Sequence, residues 1–260
     1  MNPRRICLWS GPRNVSTALM YAFAQRPDTR VIDEPLYAHY LRVSGADHPG
    51  RREVLAHLEA DGPRVVREVI LGPCDRPVLF MKQMAHHLVE LDRGFLGQVH
   101  NVLLIRDPIE MLPSLAKNIP APTLRDTGLK TQVELLEQLR ALGQTPPVLD
   151  AKQLLLNPRG VLSALCERLS IPFDDAMLSW PAGPRPEDGI WAKHWYHNLH
   201  KSTGFAPYQP KTDPFPDRLR PLLAECQPLY AALASHVIGR QHPHHRRAHH
   251  RHDAGDPGGR

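Results

Sequence analysis

The sequence predicts an α/β fold, a three-layer sandwich with a mainly parallel central sheet, organised around one strand–turn–helix unit. Three observations carry this reading. Arg5-Ile6-Cys7-Leu8-Trp9 is a mostly apolar run of strand length, and it leads through Ser10-Gly11-Pro12 into a helical pattern of Val15, Ala18, Leu19, Ala22 and Phe23. Further short apolar runs near 30–34, 77–83, 101–105 and 147–150 alternate with helical patterns. Charged residues stand at the ends of two of these runs, the sheet edge at which open α/β folds bind ligands.

Composition bounds the rest. The chain has 260 residues, enough for one full core. Its net charge of +5 suggests nucleic-acid binding only until it is localised. Five Arg and two Asp lie between Arg240 and Arg260, so the remainder carries only +2. We therefore expect an α/β domain over 1–238 and a disordered His/Arg-rich tail over 239–260, with no specific nucleic-acid partner. No run reaches the ~18 apolar residues of a membrane span, and the N-terminus is too short in apolar residues for a signal peptide. The four cysteines (Cys7, Cys74, Cys166, Cys226) form no C-x-x-C pair, which points to reduced thiols, a cytoplasmic location and no metal site.

The first unit is an anion cradle. A strand that turns tightly into a helix aims unpaired N–H groups and the positive helix end at one point. The stretch Gly11-Pro12-Arg13-Asn14-Val15-Ser16-Thr17 is P-loop-like in form but is no Walker loop, because positions 16 and 17 are Ser and Thr where that motif needs Gly and Lys. Arg30–Pro35 is a second strand stopped by proline, with Asp33 and Glu34 at its end. Residues 44–75 form a charged insertion that is expected to face an acceptor, with a helical piece at Arg51–Glu59. Pro77–Gln83 is a buried strand ending at Lys82, and Met84–Leu91 is read as a helix bearing His86 and His87. Asn101–Ile105 ends in Arg106, with Asp107 as N-cap, Pro108 at the first helical position and Glu110 completing a capping box. Pro113 is expected to kink that helix near Ser114. Thr131–Leu142 is an amphipathic helix, Pro147–Asp150 the last strand, Gly160–Leu169 a helix, and Asp213–Ile238 a closing helix.

Taken together, these residues resemble the sulfotransferases that use phosphoadenosine phosphosulfate (PAPS). Their phosphosulfate loop reads roughly P-[KR]-x-x-[ST]-[ST], which Pro12–Thr17 matches; cytosolic members carry Lys at the position of Arg13, and many bacterial and carbohydrate-acting members carry Arg. The family's 3′-phosphate pair, an Arg followed eight residues later by a Ser, is matched by Arg106 and Ser114. A late "Leu-Gly-Ile-Pro" exit is echoed by Leu169-Ser170-Ile171-Pro172. The resemblance runs from residue 5 to about 173.

The resemblance implies transfer of a sulfuryl group from PAPS to a hydroxyl or amine of a small-molecule acceptor, in line and without a metal. Arg13 with the N–H groups of Asn14 to Thr17 would hold the 5′ end, and Arg106 with Ser114 the 3′-phosphate. A late basic, glycine-containing loop closes over PAPS in the family; Lys201, Ser202, Thr203 and Gly204 are the candidates, against a surface loop pinned by Trp191 and Trp195. Glu34 is the preferred base, with His86 and His87 as competitors, and Lys82 is placed to hold the sulfuryl group or an acidic acceptor. Two alternatives stay open: a P-loop-like nucleotide kinase, and a nucleotide-binding module without catalysis.

Overall fold

The computed structural model describes residues 3–238; the expected tail over 239–260 lies outside them. Five strands form one sheet: β1 (Arg4–Ser10), β2 (Thr29–Asp33), β3 (Val78–Met84), β4 (His100–Ile105) and β5 (Val148–Asp150). Their order is β2-β3-β1-β4-β5 and every pair is parallel. All five carboxyl ends therefore open on one edge, and Asp33 pairs in register with Lys82 there.

Strand alternation builds the three layers. Cys7 and Trp9 of β1, with Leu79, Met81, Leu103 and Ile105, face one core. The intervening Ile6 and Leu8, with Val78, Phe80, Val102 and Leu104, face the other. The first core is covered by α5 (Leu129–Ala141) and α7 (Arg220–Ala234), and the second by α1 (Ser16–Ala24) and α6 (Pro158–Arg168). Phe23 of α1 stacks on Phe80 with ring centroids 4.0 Å apart. A third, smaller cluster at the carboxyl edge joins Tyr37, Tyr40 and Leu41 of α2 (Tyr37–Ser44), Val54 of α3 (Arg51–His57), Trp191 and Tyr196.

Four expectations differ from the structure. The segment after β3 is a single turn, Ala85–His87, and not a helix to Leu91. The helix α4 (Pro108–Leu115) passes through Pro113 unbroken; Asp107 caps it by accepting from the Ile109 N–H at 3.0 Å. Glu110 does not complete a capping box, because its carboxylate is drawn to Arg106 (3.5 Å) and to the Tyr208 hydroxyl (2.5 Å). The closing helix starts at Arg220, since Pro214 and Pro216 keep the preceding segment out of the helix. Among the described residues, no helix is long and apolar enough to cross a membrane.

Candidate active site

A cavity of about 440 Å³ opens where the strands end, within the range of small-ligand sites. The cradle forms one side of it. At the start of the turn, Gln132 of α5 donates to the carbonyls of Trp9 (3.0 Å) and Leu104 (2.9 Å), tying the ends of β1 and β4 together. Gly11 is required by close approach: a Cβ there would lie 2.7 Å from the carbonyl oxygen of Thr127. Asn14 is structural as well as polar, donating to the Leu104 carbonyl (3.1 Å) and accepting from the Val15 N–H (2.8 Å). No side chain caps the N-terminus of α1, so its first-turn N–H groups are left for a ligand. Gly11 to Thr17 all line the cavity.

Arg13 adopts a left-handed backbone (φ 53°), a conformation that costs a non-glycine residue energy and is concentrated at functional sites. Its Nε donates to Ser114 Oγ at 3.0 Å, while Arg106 donates to the Arg13 carbonyl at 2.8 Å. The three residues singled out for anion binding are thus brought together. Burial and the neighbouring Arg106 charge pull the Arg13 guanidinium below its ordinary pKa, the signature of two cations held close. The Nε of Arg106 is buried without a partner. An anion between the two guanidiniums would relieve both costs. Lys211, which the sequence reading missed, adds to this field: its pKa is lowered by burial and then by Arg106 and Lys117. It is strapped there by donating to the Glu110 carbonyl at 2.6 Å. It stands alone in a Pro-rich segment with no motif to signal it.

Across the cavity, β2 stops at Asp33 and the chain turns at Glu34, again left-handed (φ 42°), with the Glu34 N–H bonded to the Lys82 carbonyl at 2.7 Å. Glu34 lines the cavity although its side chain is only 10 % exposed. Lys82 lies between two carboxylates: its Nζ reaches Asp33 Oδ1 at 2.9 Å and Glu34 Oε1 at 2.5 Å, and it also bonds the Tyr196 hydroxyl at 2.7 Å. The Tyr196 hydroxyl donates in turn to Asp33 Oδ2 at 2.8 Å. All three ammonium protons are therefore engaged, which corrects the expectation that Lys82 is free to hold a sulfuryl group or acidic acceptor. Burial alone would discharge Lys82, but Asp33 and Glu34 more than offset it and hold its pKa well above the ordinary value. One ammonium cannot compensate two carboxylates. Burial accordingly pushes Glu34 above the ordinary carboxylate range, Lys82 opposing and Asp33 adding to the rise.

His86 and His87 both line the cavity, their rings edge to face with centroids 4.8 Å apart. His87 stacks on Tyr37 (5.1 Å) and on Tyr40 (4.7 Å). Burial, and then neighbouring histidines, lower both; His86 falls to about 4. A histidine neutral in the folded state but protonated when unfolded contributes stability above about pH 6.5, and that contribution is lost as pH falls towards 4. The unfolding free energy from urea titrations should therefore drop steadily over this window, with a slope of up to about 1.4 kcal/mol per pH unit for each histidine. His86→Asn should reduce that slope, leaving the share of His87.

The late segment enters only in part. Ser202 and Gly204 line the cavity, whereas Lys201 and Thr203 are exposed and stand outside it. The backbone is extended at Ser202, so successive residues alternate sides, which corrects the grouping of all four. Ser202 Oγ is itself engaged by Trp180 (3.1 Å) and the Leu199 carbonyl (2.7 Å). Trp191 and Trp195 do more than pin a surface loop: both line the cavity, as do Tyr37, Tyr40 and His48 from α2 and the insertion. Helical spacing alone had marked none of α2 as wall.

An all-parallel α/β sheet whose carboxyl edge carries an uncapped helix start, two converging guanidiniums and an opposing buried carboxylate defines an anion-handling α/β protein. The family model for the sulfotransferase domain matches residues 4–237, and the chain belongs to that family. It is similar to two Arabidopsis thaliana proteins named branched-chain-amino-acid aminotransferase-like protein 2 (42 % identical over 230 residues) and protein 1 (43 % over 238). These alignments cover 88 % and 90 % of this chain but 41 % and 42 % of the relatives, so the chain spans about two-fifths of their length. Among solved structures it shares the fold of the sulfotransferase domain from the curacin biosynthetic pathway (TM-score 0.53, 17 % identity, covering 86 % of this chain and 98 % of that one). It also shares the fold of a sulfotransferase from Alicyclobacillus acidocaldarius (TM-score 0.51, 12 % identity, covering 90 % and 96 %).

Proposed function

We propose that this chain transfers the sulfuryl group of PAPS to a hydroxyl or amine of a small acceptor, with Glu34 as general base. The observation that carries the reading is one cavity with paired guanidiniums on one side and a buried carboxylate on the other. The residues fit PAPS: Arg106 has a buried, unpartnered Nε, Ser114 is within reach of Arg13, and the start of α1 is uncapped. In this assignment Arg13 and the N–H groups of α1 hold the 5′ end, and Arg106, Ser114 and the field of Lys211 the 3′-phosphate.

For a hydroxyl acceptor, the O–H proton passes to Glu34 as the oxygen bonds to sulfur. The bond from sulfur to the bridging phosphate oxygen breaks, and adenosine 3′,5′-bisphosphate departs. Arg13 steadies charge on that departing oxygen, so the work is positioning and electrostatics. The raised pKa of Glu34 matches a base to neutral pH better than an ordinary carboxylate would. Lys82, with Asp33 and Tyr196, fixes where that carboxylate points.

Incubation with ³⁵S-labelled PAPS and a panel of small alcohols and amines should move label into a new product, with EDTA present throughout. Transfer of the γ-phosphate from labelled ATP in a parallel reaction with magnesium and no EDTA, with none of the sulfur label moved, would return the kinase reading to favour.

A further inference from the structure

We infer that the acceptor end of the cavity binds an organic cation, so that the acceptor is an alcohol carrying a tertiary or quaternary ammonium group. This rests on the sulfuryl-transfer reading of the same site and narrows its substrate class.

The charges lining the cavity are segregated. Among the described residues, its cationic side chains are Arg13, Arg106 and Lys82. The first two are joined to each other and to Ser114 on the cradle side, and the third has its protons committed to Asp33, Glu34 and Tyr196. The rings of Tyr37, Tyr40, Trp191 and Trp195 form another part of its wall, and its acids among the described residues are Glu34 and Asp126. Asp126 is fixed by the capping box of a short helix (Leu124–Thr127) whose N-cap is Thr123: its Oδ2 accepts from the N–H (2.8 Å) and hydroxyl (2.7 Å) of Thr123. Its charge is felt by His48, and by Tyr40 and His86 together with the opposing charge of the exposed Arg125, which places it at the aromatic end.

Ring faces and a carboxylate, with no uncommitted cation among the lining residues, make a surface that attracts positive charge and repels an anionic acceptor. The wall already holds one such contact, Lys82 Nζ at 5.1 Å from the centre of the Tyr196 ring. The histidines do not spoil it, since burial lowers the pKa of His48, His86 and His87 alike and so favours their uncharged forms. A methylated ammonium suits rings better than a primary amine, because it brings no N–H donors that the aromatic faces would leave unpaired. The hydroxyl of the same molecule would then face Glu34.

The test is a calorimetric titration of protein saturated with adenosine 3′,5′-bisphosphate, using choline and its uncharged isostere 3,3-dimethyl-1-butanol at matched ionic strength. Choline should bind about tenfold or more tightly than the isostere. Trp195→Leu, at a partly exposed position, and Asp126→Asn, which keeps the capping acceptor, should each weaken choline several-fold and leave the isostere and the bisphosphate as they were. Equal or weaker binding of choline, with the bisphosphate bound normally, overturns the inference alone. Failure of the bisphosphate to bind removes the sulfuryl-transfer reading beneath it.

Discussion

Glu34→Gln should lower the single-turnover rate of sulfuryl transfer by about 10²–10⁴-fold, the usual worth of a general base, while binding adenosine 3′,5′-bisphosphate as the parent does. The side chain is nearly isosteric, keeps an oxygen for Lys82 and stands across the cavity from Arg13 and Arg106, so donor binding has no reason to change. The parent rate should rise with pH through an inflection above the ordinary carboxylate range, because the base must be ionised and burial opposes ionisation. That acid limb should vanish in the variant. His86 competes poorly on chemistry: held at about 4, it is a weaker proton acceptor than a buried glutamate whose pKa is raised. A variant rate within a few-fold of the parent would nevertheless move the search to His86 and His87.

Lys82→Met should cost about 3–5 kcal/mol, the range found when one partner of a buried ion pair is removed, out of the 5–15 kcal/mol of a typical domain. Asp33 and Glu34 would be left facing one another with no cation, at side-chain exposures of 1 % and 10 %. Burial already raises the Glu34 pKa, and without the opposing Lys82 charge it would be raised further. Protonation then favours the fold, so the deficit should be largest at pH 8 and shrink as pH falls towards 5. Urea unfolding of parent and variant at both pH values measures it. A deficit below about 1 kcal/mol at pH 8 would mean that water or movement of Glu34 takes over the role of Lys82.

The contrast between strands and walls explains what the sequence disclosed. Strand runs such as Arg5–Trp9 and Asn101–Ile105 were legible because parallel strands are buried on both faces and read as continuous apolar segments. Glu34 and Arg106 were legible because each follows such a run directly, and Arg13 because it lies in the turn that follows one, and the ends of parallel strands converge. Lys82 was legible by position but not by state: only the pairing of β2 with β3 puts Asp33 opposite it and Glu34 one residue on. The aromatic wall comes from three places, α2, the insertion and the segment around Trp191, with no common period to join them. Lys211 and Asp126 were hidden for the same reason, since their significance lies in neighbours about a hundred and about forty residues away in sequence.

Calorimetry of the protein with adenosine 3′,5′-bisphosphate and with AMP tests the central claim most directly. The 3′-phosphate meets Arg106 and Ser114 in this account, and a charge-assisted hydrogen bond to phosphate contributes about 1.5–3 kcal/mol. The bisphosphate should therefore bind at least about tenfold more tightly than AMP without added magnesium, and Arg106→Ala should erase most of that margin. Equal affinity for the two nucleotides would contradict it.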